Sequence, residues 1–368
     1  MANARKLRNS VDRQYVLTDR RLGRLQALHA AALIGISGLG TLCLIPFSMV
    51  YGVRVIDFLL LAVFYVFTLL GGTVGFHRLF THRAFSAPAG VRLILGILAS
   101  MAAQGPLIYW VANHRRHHWD SDGALDPHSP HRQGERQFGR IEGLVHAHFG
   151  WAFIPKITNG LTFGKGLSDD SVARYVSRTY PLWVMAGLAI PAAIGAAWSG
   201  GFVGGVAGFL WGGLFRIFLV FNAASLINSV CHVHGAKTYA LANHSSNVWW
   251  LAIPTLGESW HNNHHAFSRS AIFGHRWWQI DIGGIVVRFL AALGLAWDVH
   301  RPSKAKLDDR RRNGVSQREG DIRLDKRDAA ASEMADDDDV GLLPARPETL
   351  PTNSAKRTCC DDTESLLR

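Results

Sequence analysis

The sequence predicts an all-α integral membrane protein, with four transmembrane helices in two hairpins and a helical cap on one side. Three observations carry this. Between Arg24 and Arg54 there is no Asp, Glu, Lys or Arg; residues 58–76 form a second uncharged run; residues 179–215 form a third, broken only by Ser199-Gly200-Gly201. A bilayer core takes about 20 apolar helical residues. The spans therefore fall near 28–50, 55–76, 180–198 and 202–224. An uncharged stretch as long as the third has no ready place in a water-soluble fold. Arg216 lies in the fourth span and is expected near its exit end, where a long side chain can snorkel to the interface.

Charge sets the orientation. Arg5, Lys6, Arg8, Arg13, Arg20, Arg21 and Arg24 precede the first span, residues 77–178 carry twelve Lys or Arg, and the hairpin tips carry only Arg54. By the positive-inside rule both termini and the middle segment face the cytoplasm. That is the cytoplasmic membrane in a bacterium or the endoplasmic reticulum in a eukaryote. Apolar stretches at 93–108 and 283–297 are too short or interrupted to span and read as interfacial or buried helices. The organisation expected is a basic N-terminal segment 1–24, a membrane domain 25–302 and a disordered, charged tail 303–368. The tail holds 13 basic and 15 acidic residues, a net of −2, so the rest of a chain of net +11 carries +13. A basic body suits an anionic membrane surface or substrate; no nucleic-acid motif accompanies it. The four cysteines form no Cys-x-x-Cys pair, which excludes a thiolate zinc site. Cys359-Cys360 is not a prenylation box. The polar, Arg-rich start is not a cleavable signal peptide.

Eighteen histidines are clustered rather than scattered. Box one is His77-Arg-Leu-Phe-Thr-His82. Box two, His114-Arg-Arg-His117-His118, and box three, His261-Asn-Asn-His264-His265, share a His-x-x-His-His pattern. On a helix, positions i, i+3 and i+4 lie on one face, so three imidazoles converge. Box one is spaced i, i+5, which an ideal helix does not bring together, and is expected at a helix end or distortion. Box one follows span two, box two lies in the same segment, and box three comes two spans later. An even number of crossings returns box three to the same side, so all three can meet at the cytoplasmic mouth. Eight imidazoles are too many for one zinc and suit two metals of higher coordination. The chain has one Glu-x-x-His, Glu258-x-x-His261, and so lacks the paired motif of soluble di-iron bundles.

Together these residues resemble the membrane fatty-acyl desaturases, in particular the delta-9 acyl-CoA desaturase branch that includes the stearoyl-CoA desaturases. The resemblance covers about residues 25–302. Besides the boxes it includes Asp126-Pro127-His128, His148-Phe-Gly-Trp151, Asn228-Ser-Val-Cys-His232-Val-His-Gly235 and Trp277-Trp278-Gln279-Ile280-Asp281. It implies two iron ions (Fe2+/Fe3+) held by His77, His82, His114, His117, His118, His261, His264 and His265. His232 would be a ninth ligand, and Asn228 would reach the metal through a water. Spacing alone does not choose His232 over His234. His128, His131, His146 and His148 are either groups that orient the ligands or surface residues. The activity implied is oxygen-dependent insertion of a cis double bond, most simply delta-9, into a saturated long-chain acyl-CoA held in an apolar tunnel. Phe64, Tyr65 and Phe67 are candidates to close that tunnel. An acyl-lipid desaturase, a histidine-box lipid or alkane hydroxylase and, in a different class, a membrane metal transporter or sensor are the alternatives. The transporter reading requires histidines within the spans. Box two follows Asn113 where the animal enzymes usually carry an acidic residue. With no fused haem motif, the resemblance implies a separate electron donor, a cytochrome b5 or a ferredoxin with its reductase. A basic cytoplasmic face suits an acidic donor.

Overall fold

The computed structural model describes residues 14–311. Among the described residues four helices are long and apolar enough to cross a membrane: Arg20–Tyr51, Val55–Thr81, Tyr180–Ser199 and Phe202–His232, here spans 1 to 4. Span 1 has 32 residues. At 1.5 Å per residue it reaches about 48 Å, well beyond a hydrocarbon core of about 30 Å.

Local chemistry sets the span ends. Asp19 caps span 1 by accepting from the Leu22 N–H at 2.8 Å. Gly52 at φ 72° turns the chain. Span 2 then starts with a reciprocal cap, in which Asp57 accepts from the Arg54 backbone N–H at 2.9 Å and pairs with its guanidinium at 3.1 Å. Spans 3 and 4 meet through small residues: a Cβ at Gly195 would sit 2.3 Å from the Gly204 carbonyl oxygen. Only a glycine there allows so close a crossing, the usual device for helices that gain nothing from hiding apolar surface among lipid tails. Spans 1 and 3 are 22% and 17% buried over their apolar windows, against 61% for span 4. Span 4 is therefore the centre of the bundle. Spans 1, 2 and 3 all pack on it.

Two stretches of the spans widen from α to π geometry. Gly71–Thr81 and Phe209–Phe215 are π-helical. Such stretches are rare and gather at functional sites. The first places box one. The second ends at Arg216, which corrects the expectation of a snorkelling side chain: Arg216 is fully buried. Its guanidinium donates to the carbonyls of Gly212, Met101 and Gly187 at 3.0, 2.5 and 2.6 Å. Backbone groups left over where helices widen or end must be satisfied inside the protein, because lipid offers no partner; the planar five-donor fork of arginine suits three carbonyls at once.

The remaining elements form the cap. The apolar stretches expected not to span fold as short helices, Ala89–Ser100 and Ile282–Ala292. Leu107–Trp119 carries box two and His261–Ala266 carries box three. Val16–Leu17 pairs with Ile157–Thr158 as a short antiparallel ladder, so the residues just before span 1 are docked on the cap. The expected disordered tail begins too early. Residues 304–311 are helical, with Arg310 over the Phe267 ring and Arg311 over Tyr239. Two cation–π contacts anchor what charge density alone marked as solvated. The rest of that tail, with Cys359-Cys360, and residues 1–13 lie outside the described residues.

Candidate metal centre

Box one owes its geometry to the π-helix. In an α-helix His77 and His82 would point about 140° apart. Here the His82 N–H donates to the His77 carbonyl at 3.1 Å, an i to i+5 bond that closes one wide turn between them. The two rings lie 4.9 Å apart. The turn is wedged in place: a Cβ at Gly71 would fall 2.2 Å from the Ala99 backbone nitrogen. Arg115 of box two then fastens the helices together, donating to the carbonyls of Phe80, Thr81, Phe163 and Lys165 at 3.1 to 3.3 Å.

Nine histidines converge as two groups. His77, His82, His114, His118 and His264 form one; His117, His232, His261 and His265 form the other, and within each the nitrogens offered lie within 4.8 Å of one another. In the first group Nε2 atoms face one another in sequence: His77 to His264 at 3.0 Å, His264 to His118 at 2.8 Å, His118 to His114 at 3.1 Å and His114 to His82 at 3.1 Å. In the second, His232 to His261 and His261 to His265 are 3.0 Å apart and His265 to His117 is 3.2 Å. Two imidazoles bound to one first-row metal at about 2.1 Å and at right angles stand about 3.0 Å apart.

Carboxylates on the far ring nitrogens settle the tautomers. Nδ1 of His77 faces Glu258, Nδ1 of His117 lies 2.9 Å from Asp126 and Nδ1 of His232 lies 2.9 Å from Asp122. A carboxylate holds the proton on Nδ1 and leaves the Nε2 lone pair free for a metal. Lone pairs aimed at one point repel unless a cation lies between them, so the donor set fits one metal in each group.

The carboxylates are themselves held. Arg78, fully buried, donates to Glu258 at 3.2 Å, to Asp281 at 2.8 and 3.3 Å and to the Ala271 carbonyl at 3.0 Å. Asp281 also accepts from the N–H groups of Phe273 at 2.6 Å and Gly284 at 2.8 Å. Burial would raise the Asp122 carboxyl, but His232 beside it brings it down to about 2. Asp126 is likewise pulled far below the carboxylate range, with His117 outweighing its burial. Burial, then neighbouring imidazoles, pushes His114, His118, His261, His264 and His265 well below the ordinary histidine value. They are held neutral, the form that binds metal.

Box three stays in register through its two asparagines. Asn263 donates to Gln279 at 3.1 Å and to the Phe273 carbonyl at 2.8 Å; Asn262 accepts from the Tyr239 N–H at 2.8 Å. Of the four further histidines, His131 meets the His232 carbonyl at 2.8 Å, and His128 lies 4.5 Å from His117, ring to ring. His148 bonds Ser229 at 3.1 Å, and His146 packs on Phe138. Glu258, Asp122 and Arg78 had no assigned role at the level of sequence. The unpaired Glu258-x-x-His261 was the one signal for the first. Asp122 matches no motif spacing.

Two small cavities meet at the metal centre. One, about 100 Å³, reaches among the spans past Thr68, Leu69, Ala102 and Val220 to His77, His114 and His261. The other, about 110 Å³, runs from Gln26 and Trp151 to His114. Gln104, Trp110, Ala224 and Asn228 border both. Phe64, Tyr65 and Phe67 border neither. Phe67 is half exposed, Tyr65 donates to the Pro254 carbonyl at 2.6 Å, and the cavity wall begins one residue later, at Thr68.

Comparisons with known proteins identify the family. The fatty acid desaturase family model matches residues 55–282. The chain is 41% identical to the hex-5-enoyl-[acyl-carrier protein] acetylenase of Moorena producens (strain JHB), over 77% of this chain and 89% of that protein. It is 34% identical to delta-9 acyl-lipid desaturase 2 of Arabidopsis thaliana, over 80% and 89%. It is 36% identical to an acyl-CoA 5-desaturase of Anemone leveillei, over 74% and 79%.

Proposed function

The chain belongs to the fatty acid desaturase family, and from that premise we propose that it inserts a cis double bond, delta-9 in position, into a saturated long-chain acyl group at a di-iron centre. It is an oxidoreductase of lipid metabolism with membrane-spanning helices. The observation that carries the di-iron reading is the division of nine histidines, six buried and three half-buried, into groups of five and four, with carboxylates on the far nitrogens of three of them. His77, His82, His114, His118 and His264 would hold one iron, and His117, His232, His261 and His265 the other. Asn228, one helical turn before His232 and on the wall of both cavities, would contribute through a water.

When bound, the irons would supply the dioxygen chemistry that removes hydrogen from two adjacent methylenes. The chain's own residues do the positioning. Trp110, Gln104 and Ala224 border the passage beside His114, and a substrate threaded from one cavity to the other presents its middle carbons there. The apolar wall excludes water from the reacting carbons. Glu258, Asp126 and Asp122 keep the Nδ1 protons of three ligands in place throughout.

On this reading the histidine boxes and both termini face the cytoplasm, and a separate cytochrome b5 or ferredoxin, with its reductase, delivers electrons. The similar proteins named above act on acyl groups carried by acyl carrier protein, lipid and CoA. Acyl-CoA is the carrier expected from the sequence.

The test is expression in a desaturase-deficient host, with double-bond location in total fatty acids, beside a His264→Ala control. A new cis-monounsaturated acid absent from the control is the expected result. Hydroxylated acids in its place would refute the reading.

A further inference from the structure

A third cavity lies on the bilayer side of the bundle. It has a volume of about 360 Å³ and runs between spans 1 and 3, lined by residues that include Ala32, Leu33, Val184 and Met185. Ile36 and Met185 on its rim are 56% and 61% exposed, so within a bilayer this groove opens to lipid tails. Its inner wall is His29 and Leu33, and the same two residues wall the cavity that contains His114 and Asn228. The barrier between bilayer and metal centre is thus one side chain thick.

That barrier is latched. Nε2 of His29 lies 2.8 Å from the Tyr180 hydroxyl, which joins span 1 to the start of span 3. The same hydroxyl accepts from the Gly105 N–H at 3.1 Å. Gly105 follows Gln104, the residue that borders both cavities at the metal centre, and stands at φ 105°. Nothing else ties spans 1 and 3 closely: among the described residues each packs chiefly on span 4 rather than on the other. Parting His29 from Tyr180 therefore breaks one hydrogen bond and requires no helix to repack.

We propose that the groove between spans 1 and 3 is a lateral portal through which the acyl chain of a bilayer lipid reaches the metal centre, with the His29–Tyr180 hydrogen bond as its latch. This rests on the desaturase reading and names its substrate class. The occupant follows from the setting. The lining is almost wholly apolar and open along the hydrocarbon. The latch joins the first residue of span 3 to His29, ten residues into span 1, in the half of the bundle that adjoins the cap. An acyl chain borne by a soluble carrier would have no use for an opening on this side.

The test uses membranes of the desaturase-deficient host containing the full-length, iron-replete protein. They receive labelled stearoyl groups either in a bilayer phospholipid or as stearoyl-CoA on albumin. Val184→Trp and Ala32→Trp fill the groove without lining the cavity at the metals; Ile190→Trp, partly exposed on another face of span 3, is the control. Both groove variants should lose at least tenfold in desaturation of phospholipid, with stearoyl-CoA turnover, where present, and iron content within twofold of wild type. Ile190→Trp should match wild type on both. Tyr180→Phe should raise the phospholipid rate at least threefold relative to the stearoyl-CoA or Ile190→Trp reference. Equal losses on both substrates, or equal loss in the control, overturn the portal, and an unchanged Tyr180→Phe ratio overturns the latch. Wild-type membranes that desaturate stearoyl-CoA and never phospholipid refute the portal and leave the desaturase standing. A double bond in neither substrate refutes both.

Discussion

Glu258→Gln probes the centre through a residue that is not a proposed ligand. Glu258 touches two things: Nδ1 of His77 and, at 3.2 Å, the Arg78 guanidinium. Glutamine keeps the size and removes the charge. Its single carbonyl can accept from His77 or from Arg78, and its amide can donate to neither. Losing the partner of a metal-bound histidine typically costs 10–100-fold in metal affinity or activity, or about 1.4 to 2.7 kcal/mol. Breaking a buried charge pair typically costs about 3–5 kcal/mol of stability. The loss here should fall below that, because Asp281 still pairs with Arg78 at 2.8 Å. The assay is iron retained per chain after dialysis against graded chelator, with the melting temperature in detergent alongside. Iron held by the five-histidine group should leave first, at chelator concentrations 10–100-fold lower than in wild type. Asp281→Asn should weaken the same iron less, and the double variant should fall short of additivity because both act through Arg78. Unchanged iron retention in Glu258→Gln would refute the claim that a carboxylate sets the His77 tautomer.

Further outcomes follow from the same geometry. His118→Ala and His265→Ala remove ligands from different groups, so each should drop iron by about one per chain while leaving the other site loaded; loss of both from either would argue for one shared cluster. The pKa values of His114, His118, His261, His264 and His265 lie below the unfolded value of about 6.5. The unfolded chain then binds more protons, so stability of the metal-stripped protein is present above pH 6.5 and lost as pH falls through it. Each group contributes up to about 1.4 kcal/mol per pH unit. The melting temperature of stripped protein should change little near pH 7.5 and fall increasingly steeply below about pH 6.5, and a flat profile down to about pH 5.5 would contradict the buried, neutral state. Arg216→Lys keeps the charge but loses the fork that serves three carbonyls; an unsatisfied buried carbonyl costs about 1–3 kcal/mol, and a measurable fall in melting temperature is expected.

The spans and the histidine boxes were legible because each depends on a local regularity. Runs without charge mark the spans, and a His-x-x-His-His spacing on a helix has one geometric consequence. An even number of crossings between boxes one and three likewise puts box three on the same side as the others. What failed depended on contacts distant in sequence. A distortion was expected at His77–His82, but not a π-helix extending from Gly71 to Thr81, which is set by the packing of Gly71 against Ala99. Arg216 read as a snorkelling residue because its three carbonyl partners come from three separate segments. The aromatic residues of span 2 are tunnel candidates by size alone; a bulky side chain on a membrane helix faces outward as readily as a cavity, and none of the three borders the two cavities at the metal centre. Asp122 orients His232 across 110 residues of chain, a distance at which no local pattern connects them. Asp281 stood in a quoted motif, but its work on Arg78 and the Gly284 cap appears only in the fold.

The most direct test of the two-metal account is the iron content of the purified full-length protein, measured per chain by plasma mass spectrometry on iron-replete preparations. The geometry predicts two irons per chain in the wild type, falling to about one when His232 is replaced by Ala. A ratio that saturates at one in the wild type, or a centre that fills with zinc and excludes iron, would contradict it.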